Sequence, residues 1–299
     1  MFSIISDGGC DFSAEEAQQM SVDIVPFYLS FDQETYMKED VDISKEDYFK
    51  RMQEDKDLFP KTSQPSPQDY VDVYRPHLEA GKDLISLTIS SKLSGTHNSA
   101  TLAAEMLAEE FPDRKVAVID SLNSAVGQGL ILREIVRMRD EGFSIDETVS
   151  LAGKVRETTK IYFTLDTLEY LRRGGRVGPT TALVGGILGL RPVLHLVDGS
   201  IEQLESVRGR KKVLAQMEAG IGSILAEEDE FTNIAVGHIL CEDDARGFSE
   251  NLASGSGKEI TTPLTAVGAA VGTHTGPGAL AVAYCKTYEA FAGAQAKAA

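Results

Sequence analysis

Residues 83–104 read DLISLTISSKLSGTHNSATLAA. An apolar, β-branched run ends in a polar turn, and an amphipathic helical pattern starts at once. Ser90, Ser91, Ser94, Gly95 and Thr96 crowd the junction. A turn that leaves the carboxyl end of a strand and enters a helix presents free backbone N–H groups and the positive end of the helix dipole. Such a place suits a carboxylate or a phosphate. A glycine and hydroxyl side chains let the anion come close. The stretch therefore predicts a strand–turn–helix unit of an α/β fold, with a small anionic group held at the turn.

The same alternation extends on both sides. Ser3–Ser6 reads as a strand, Ser13–Gln19 as a helix, and Asp23–Phe31 as a strand bent by Pro26. Ser44 with Asp47 marks a helix start that buries Tyr48, Phe49 and Met52. Pro60–Pro67 reads as an irregular loop and Gln68–Glu79 as a helix. After the Leu84–Ile89 strand and the Asn98–Glu110 helix come a strand at Val116–Asp120 and helices at Ala125–Asp140 and Ile145–Glu157. Strand and helix alternate, which argues for a mostly parallel sheet flanked by helices.

The pattern changes near residue 160. Strands are expected at Ile161–Thr164, Val193–Val197, Ser200–Glu205, Asn233–Leu240, Thr262–Val267 and Ala279–Tyr284. Helical patterns cover Leu168–Arg172, Thr180–Leu188, Lys211–Leu225 and Asp243–Ala253. Gly174-Gly175 suits a helix C-cap, and Asp198-Gly199 is a hairpin turn. We expect an N-terminal α/β domain over 1–160, a C-terminal α/β domain with a mixed sheet over 161–290, and a frayed tail at 291–299.

Composition narrows the classes of function. The formal net charge is −17, which argues against nucleic acid and against an anionic membrane surface as partners. The N-terminus, MFSIISDGGCDF, lacks the pattern of a signal peptide, and no apolar run is long enough for stable membrane insertion. Cys10, Cys241 and Cys285 are few and widely spaced, which suits a reducing, cytoplasmic setting and gives no zinc motif. No cofactor fingerprint is expected either: Gly185-Gly186-Ile187-Leu188-Gly189 follows no strand.

Four segments carry hydroxyls, glycine or basic groups: Lys61–Ser66, Ser90–Thr96, Arg172–Arg176 and Thr273–Gly278, the last read as a loop. Each has an ordinary structural reading as a turn, a cap or a dipole-matched helix end. Arginines at such an end also suit forked contacts to a carboxylate or phosphate. His97, three residues after Ser94, makes a weak base for it, because neighbours in one helical turn seldom form such a pair. His195 and His238 fall in apolar strands and His77 shares no metal spacing with them. Asp7, after the first strand, suits a helix cap better than a cation ligand.

Taken in order and at their spacings, the strings TSQPSP, SSKLSGTHNSA, YFTLDTLEYLRRGGRVG and THTGPGA resemble the DegV family. DGGCD and VPFYLSFDQETYMKEDVDISKEDYF also fit, and the resemblance covers about residues 3–287. Gly8-Gly9-Cys10 departs from it, since the family more often carries Ser-Thr-Ala or similar there. The resemblance implies two α/β domains with a ligand between them, and a non-catalytic, lipid-binding carrier. The ligand would be a long-chain fatty acid. The protein partner would be a fatty acid kinase that phosphorylates the presented carboxylate for phospholipid synthesis.

Residue by residue, the resemblance implies that Thr62 and Ser94 hydrogen-bond the carboxylate, with the Gly95 N–H nearby and His274 in the network behind it. Arg172 and Arg173 would lie near the head group or the kinase contact. Leu183, Val184, Ile187 and Leu188, and less strongly Phe27 and Phe163, are candidates for the wall of a tunnel for the tail. The alternative from another class is a serine acyl hydrolase using Ser94.

Overall fold

Runs of apolar residues without alternation build the first sheet, because both of its faces are covered. Ile4, Ile5, Leu84, Ile85 and Leu87 are fully buried. The computed structural model describes residues 2–55, 58–176 and 189–295. In chain order the first half holds β1 (Ser3–Asp7), α1 (Ala14–Gln19), β2 (Val22–Val25), β3 (Tyr28–Ser30), β4 (Met37–Lys38), α2 (Lys45–Glu54), β5 (Lys61–Ser63), α3 (Pro67–Glu79), β6 (Leu84–Thr88), α4 (Thr96–Ala108), β7 (Val116–Asp120), α5 (Ala125–Asp140) and α6 (Ile145–Thr158). The rest holds β8 (Lys160–Thr164), α7 (Glu169–Gly174), β9 (Leu190–Val197), β10 (Ser200–Arg208), α8 (Arg210–Ala226), β11 (Thr232–His238), α9 (Glu242–Ser256), β12 (Thr265–Ala266), α10 (Ala269–Thr275), β13 (Leu280–Lys286) and α11 (Glu289–Gln295).

The sheet β2-β1-β6-β7 is wholly parallel. A second sheet runs β10-β9-β8-β13-β11-β12 and is mixed, parallel at β11–β12 and antiparallel elsewhere. The fold is thus α/β, with one parallel and one mixed sheet. Between them lies α5, whose Leu130, Ile131, Leu132 and Ile135 are buried almost completely. A helix apolar on nearly every face has to be covered on nearly every face. It packs on β11 and β13 of the mixed sheet and on β1 of the parallel one.

Local chemistry explains most boundaries. Ser13, Ser66 and Ser144 each accept from the N3 backbone N–H while the N3 carboxylate accepts from theirs, a reciprocal capping box. Ser44 caps α2, which buries Tyr48, Phe49 and Met52 as its spacing predicts. Asp198 and Gly199 turn β9 into β10 with φ of 48° and 81°, the twist a two-residue hairpin needs.

Several elements differ from the sequence expectation. Pro26 does more than bend a strand: β2 joins the parallel sheet, whereas β3 leaves it for a small antiparallel sheet, β4-β3-β5. The expected irregular loop at Pro60–Pro67 contains β5, because Thr62 pairs with Leu29 across that sheet. The expected strand Thr262–Val267 shrinks to β12. Thr273 and His274 are not in a loop but in the last turn of α10, which ends at Gly276 with φ 78°. Its glycines hid a helix that tertiary contacts hold in place. Residues 289–295 form α11, where a frayed tail was expected from 291. The expected helix Thr180–Leu188, apart from Gly189 beyond it, lies outside the described residues.

Candidate ligand-binding site

Three distant segments meet at the carboxyl edge of the parallel sheet. β5 brings Thr62, the turn after β6 brings Ser94, and α10 brings His274. All three line one cavity, with Phe27, Phe163 and Arg176 among the other walls. Thr62 Oγ1 lies 2.8 Å from His274 Nε2. His274 Nδ1 is buried without a partner among the described residues, and a Cβ on Gly174 would sit 2.1 Å from it. Gly174 therefore makes room for the ring.

Burial holds His274 far below the usual imidazole range, to about 3, with the Arg176 and Lys61 charges adding to the effect. The ring is neutral at neutral pH, so it exchanges one hydrogen bond with Thr62 without bringing a charge.

The helix that carries His274 is fixed at both ends. At its N-terminus, Asp11 Oδ1 accepts from Gly268 N at 2.9 Å and Glu39 Oε1 accepts from Ala270 N at 3.0 Å. Burial raises these carboxyls to about 7 and about 8. Further along, Thr273 Oγ1 lies 2.6 Å from the buried Tyr48 hydroxyl.

At the turn after β6, the helix N-cap is Gly95 and not Ser94. Gly95 makes no side-chain cap; Thr96 N donates to Ser94 Oγ at 3.4 Å, and His97 N and Asn98 N have no hydrogen-bond partner among the described residues, in line with the opening stretch. It is exposed beside the Gln64 amide, where a Cβ would fall 2.2 Å from Oε1. Ser94 Oγ bonds Thr96 Oγ1 at 2.7 Å. His97 Nδ1 lies 3.2 Å from Thr88 Oγ1, so the nearest histidine in sequence is committed away from Ser94. Asp7 is a cap: it accepts from Gly9 N at 2.9 Å and Ile89 N at 2.8 Å.

The arginines separate. Arg172 and Arg173 are exposed and pair with Glu169 on α7, and Arg173 stacks over Phe59 at 3.5 Å. Arg176 turns inward, donating from Nε to the Leu93 carbonyl at 3.2 Å, and it lines the cavity. Among the described residues no group of three His, Cys, Asp or Glu side chains is placed to hold a metal ion. Nor is any of their helices long and apolar enough to cross a membrane.

The family model described as "Uncharacterised protein, DegV family" matches residues 1–287. The chain belongs to the DegV family. A DegV domain-containing protein of Clostridium acetobutylicum is 30% identical over 284 residues, 94% of this chain and 96% of that one. Among solved structures, a stearic acid-binding protein from Eubacterium ventriosum is 33% identical, with a TM-score of 0.93 over 97% of this chain and 100% of the other. A DegV family protein from Thermus thermophilus, whose structure describes fatty acid binding, is 30% identical, with a TM-score of 0.85 over 95% and 99%.

Within this DegV chain, the expected polar residues Thr62, Ser94 and His274 share a cavity, and Phe27 and Phe163 line it. Leu183, Val184, Ile187 and Leu188 lie outside the described residues. The sequence did not single out Leu196, Ile201, Gln64 or Ser124, which also line it. Leu196 and Ile201 flank the Asp198-Gly199 turn, so the hairpin signal was present but its direction was not. Gln64 lies inside the TSQPSP string and donates to Ser99 Oγ at 3.1 Å.

Proposed function

We propose that this DegV protein binds a long-chain fatty acid in the cavity between its two sheets, holding the carboxylate with Thr62 and Ser94. The observation that carries the reading is chemical. Thr62, Ser94 and a neutral His274 face a cavity whose other walls are largely Ile, Leu, Val, Ala and Phe. Hydroxyls, helix N–H groups and the Arg176 that lines the same cavity offset the desolvation of a carboxylate. Burying about fifteen methylenes at 0.8 kcal/mol each gives an upper bound near 12 kcal/mol for the tail. The similarity to a stearic acid-binding protein over nearly its whole length points the same way.

The protein is then a carrier with no chemistry of its own, and it presents the carboxylate to a fatty acid kinase for acyl phosphate formation and phospholipid synthesis. Arg172 and Arg173, exposed beside the Arg176 that enters the cavity, suit the contact with that kinase. Gly95, at the N-cap of α4, would offer its N–H nearby.

Native mass spectrometry of the purified protein, followed by solvent extraction, tests the reading. A stoichiometric fatty acid is the expected result. A protein that arrives empty and takes up no added fatty acid would overturn it. Turnover of activated esters that dies with Ser94→Ala would establish the hydrolase instead.

A further inference from the structure

A second polar group faces the same cavity. Ser124, at the N-cap of α5, is 7% exposed and lines the cavity. Its side chain makes no capping hydrogen bond and has no partner among the described residues.

The local structure frees this hydroxyl. Gly127 N and Gln128 N both donate to the Ser124 carbonyl, at 3.1 and 3.3 Å, so they need no side-chain cap. Asn123 Oδ1 accepts from Ser124 N at 3.3 Å and lies over the first turn, where a Cβ on Gly127 would come within 1.9 Å of it. The Asn123 carbonyl is held by Ser90 N at 2.8 Å and by Ser121 Oγ at 3.0 Å. Ala125 N and Val126 N have no partner among the described residues. Leu122 and Ala125 adopt φ of 50° and 53°, a left-handed conformation that non-glycine residues take only where the surroundings impose it. The turn is strained and tied down, and what it presents to the cavity is one hydroxyl and the start of a 16-residue helix.

We propose that Ser124, with the N–H of Ala125, forms a second polar subsite that receives an oxygen carried on the acyl chain, so that the preferred ligand is a hydroxy- or oxo-substituted long-chain fatty acid. The proposal rests on the fatty acid reading above. A hydroxyl or carbonyl oxygen on the chain accepts from the Ala125 N–H and pairs with Ser124 Oγ. A plain methylene chain leaves both unpaired, and a site built to bond an oxygen discriminates strongly against an analogue that lacks one.

Calorimetric titration of the full chain with stearic acid and with a positional series of monohydroxy and keto C18 acids tests this. At least one substituted acid should bind about tenfold or more tightly than stearic acid. Ser124→Ala should erase that advantage, so that the same variant binds the substituted acid no more tightly than stearic acid. Ser124→Cys, close in size and a poor hydrogen-bond donor, should do the same if the alanine variant fails to fold. Substituted acids that bind no more tightly than stearic acid at any position, or an advantage that survives both variants, would overturn the subsite and leave the fatty acid reading intact. If stearic acid and every substituted acid fail to bind the unaltered protein, both readings fall.

Discussion

Thr62 Oγ1 and His274 Nε2 lie 2.8 Å apart although 212 positions separate them in the chain. A hydroxyl has one proton. For Thr62 to donate it to a bound carboxylate, the hydroxyl must accept from His274, which fixes the proton on Nε2 and leaves the buried Nδ1 bare. On the proposed reading His274 would act through Thr62, as a positioning residue. Thr62→Ala and Ser94→Ala should each weaken fatty acid binding about tenfold, the worth of one lost hydrogen bond to a charged group. His274→Gln should weaken it less than Thr62→Ala. Titration of delipidated protein checks the order; equal affinity in all four proteins would remove these residues from the head-group site.

The depressed basicity of His274 has a defined sign. Its folded value lies near 3 against the usual 6.5. Its contribution to stability is fully present above pH 6.5 and is lost as pH falls toward 3, because the unfolded chain takes up the proton first. The slope is at most about 1.4 kcal/mol per pH unit. Urea unfolding of the unaltered protein and of His274→Gln across pH 4 to 7 should show the variant less sensitive to acid. Parallel pH profiles would contradict the burial of a neutral ring.

Glu39 titrates with the opposite sign. Burial lifts its carboxyl from 4.5 to about 8, and the neighbouring Asp40 and Asp11 add to this while Lys45 opposes it. The stability associated with its protonated form is fully present below pH 4.5 and is lost as pH rises toward 8. Glu39→Gln keeps an oxygen to accept from Ala270 and cannot ionise. Thermal melts should show the variant gaining on the unaltered protein between pH 6 and 8.5. A deficit that widens with pH would mean that the carboxylate is needed at the start of α10.

The hairpin tip is fixed to the first sheet's loops. Ser90 Oγ donates to the Gly199 carbonyl at 2.8 Å, and a Cβ on Gly199 would lie 2.3 Å from that oxygen at φ 81°. Gly199→Ala should destabilise the protein by about 1–3 kcal/mol, combining strain with the lost contact. Ser90→Ala should cost about 1 kcal/mol. Because Leu196 and Ile201 flank the tip and line the cavity, both variants should also release bound lipid faster. Unchanged release, measured by transfer to vesicles, would show that the tip does not govern the cavity.

Reversing the exposed pair, Arg172→Glu with Arg173→Glu, should lower acyl phosphate formation by an added fatty acid kinase while fatty acid content stays the same. The two side chains sit on a chain of net charge −17, so a positive contact there is conspicuous to a partner. Unaltered phosphate formation would move the docking surface elsewhere.

Much of this was legible in the sequence, for physical reasons that differ by residue. Ser94 and its turn announced themselves because a strand–turn–helix junction is local. Asp198-Gly199 did so because the hairpin needs positive φ at both positions. His274 and Thr62 were placed only by resemblance, and their segments read as loops. The α10 helix spans Ala269–Thr275 with a glycine at its centre, and what holds it is Asp11, Glu39 and Tyr48, hundreds of positions away. Pairing of β5 with β3 is equally non-local. Ser124 was hidden for another reason: a serine before a helix reads as its cap, and the sequence does not show that Asn123 and the Ser124 carbonyl leave its hydroxyl idle.

The two carboxylates that hold the start of α10 come from the first forty residues, whereas the histidine at its other end stands at position 274. The pocket therefore closes only when early and late segments of the sequence have met. During synthesis the nascent chain carries Thr62 and Ser94 with nothing behind them, and the lipid has no finished cradle until the final strand and its preceding helix emerge. A protein cut short before α10 would leave Asp11 and Glu39 without the backbone N–H groups they accept from and Thr62 without His274.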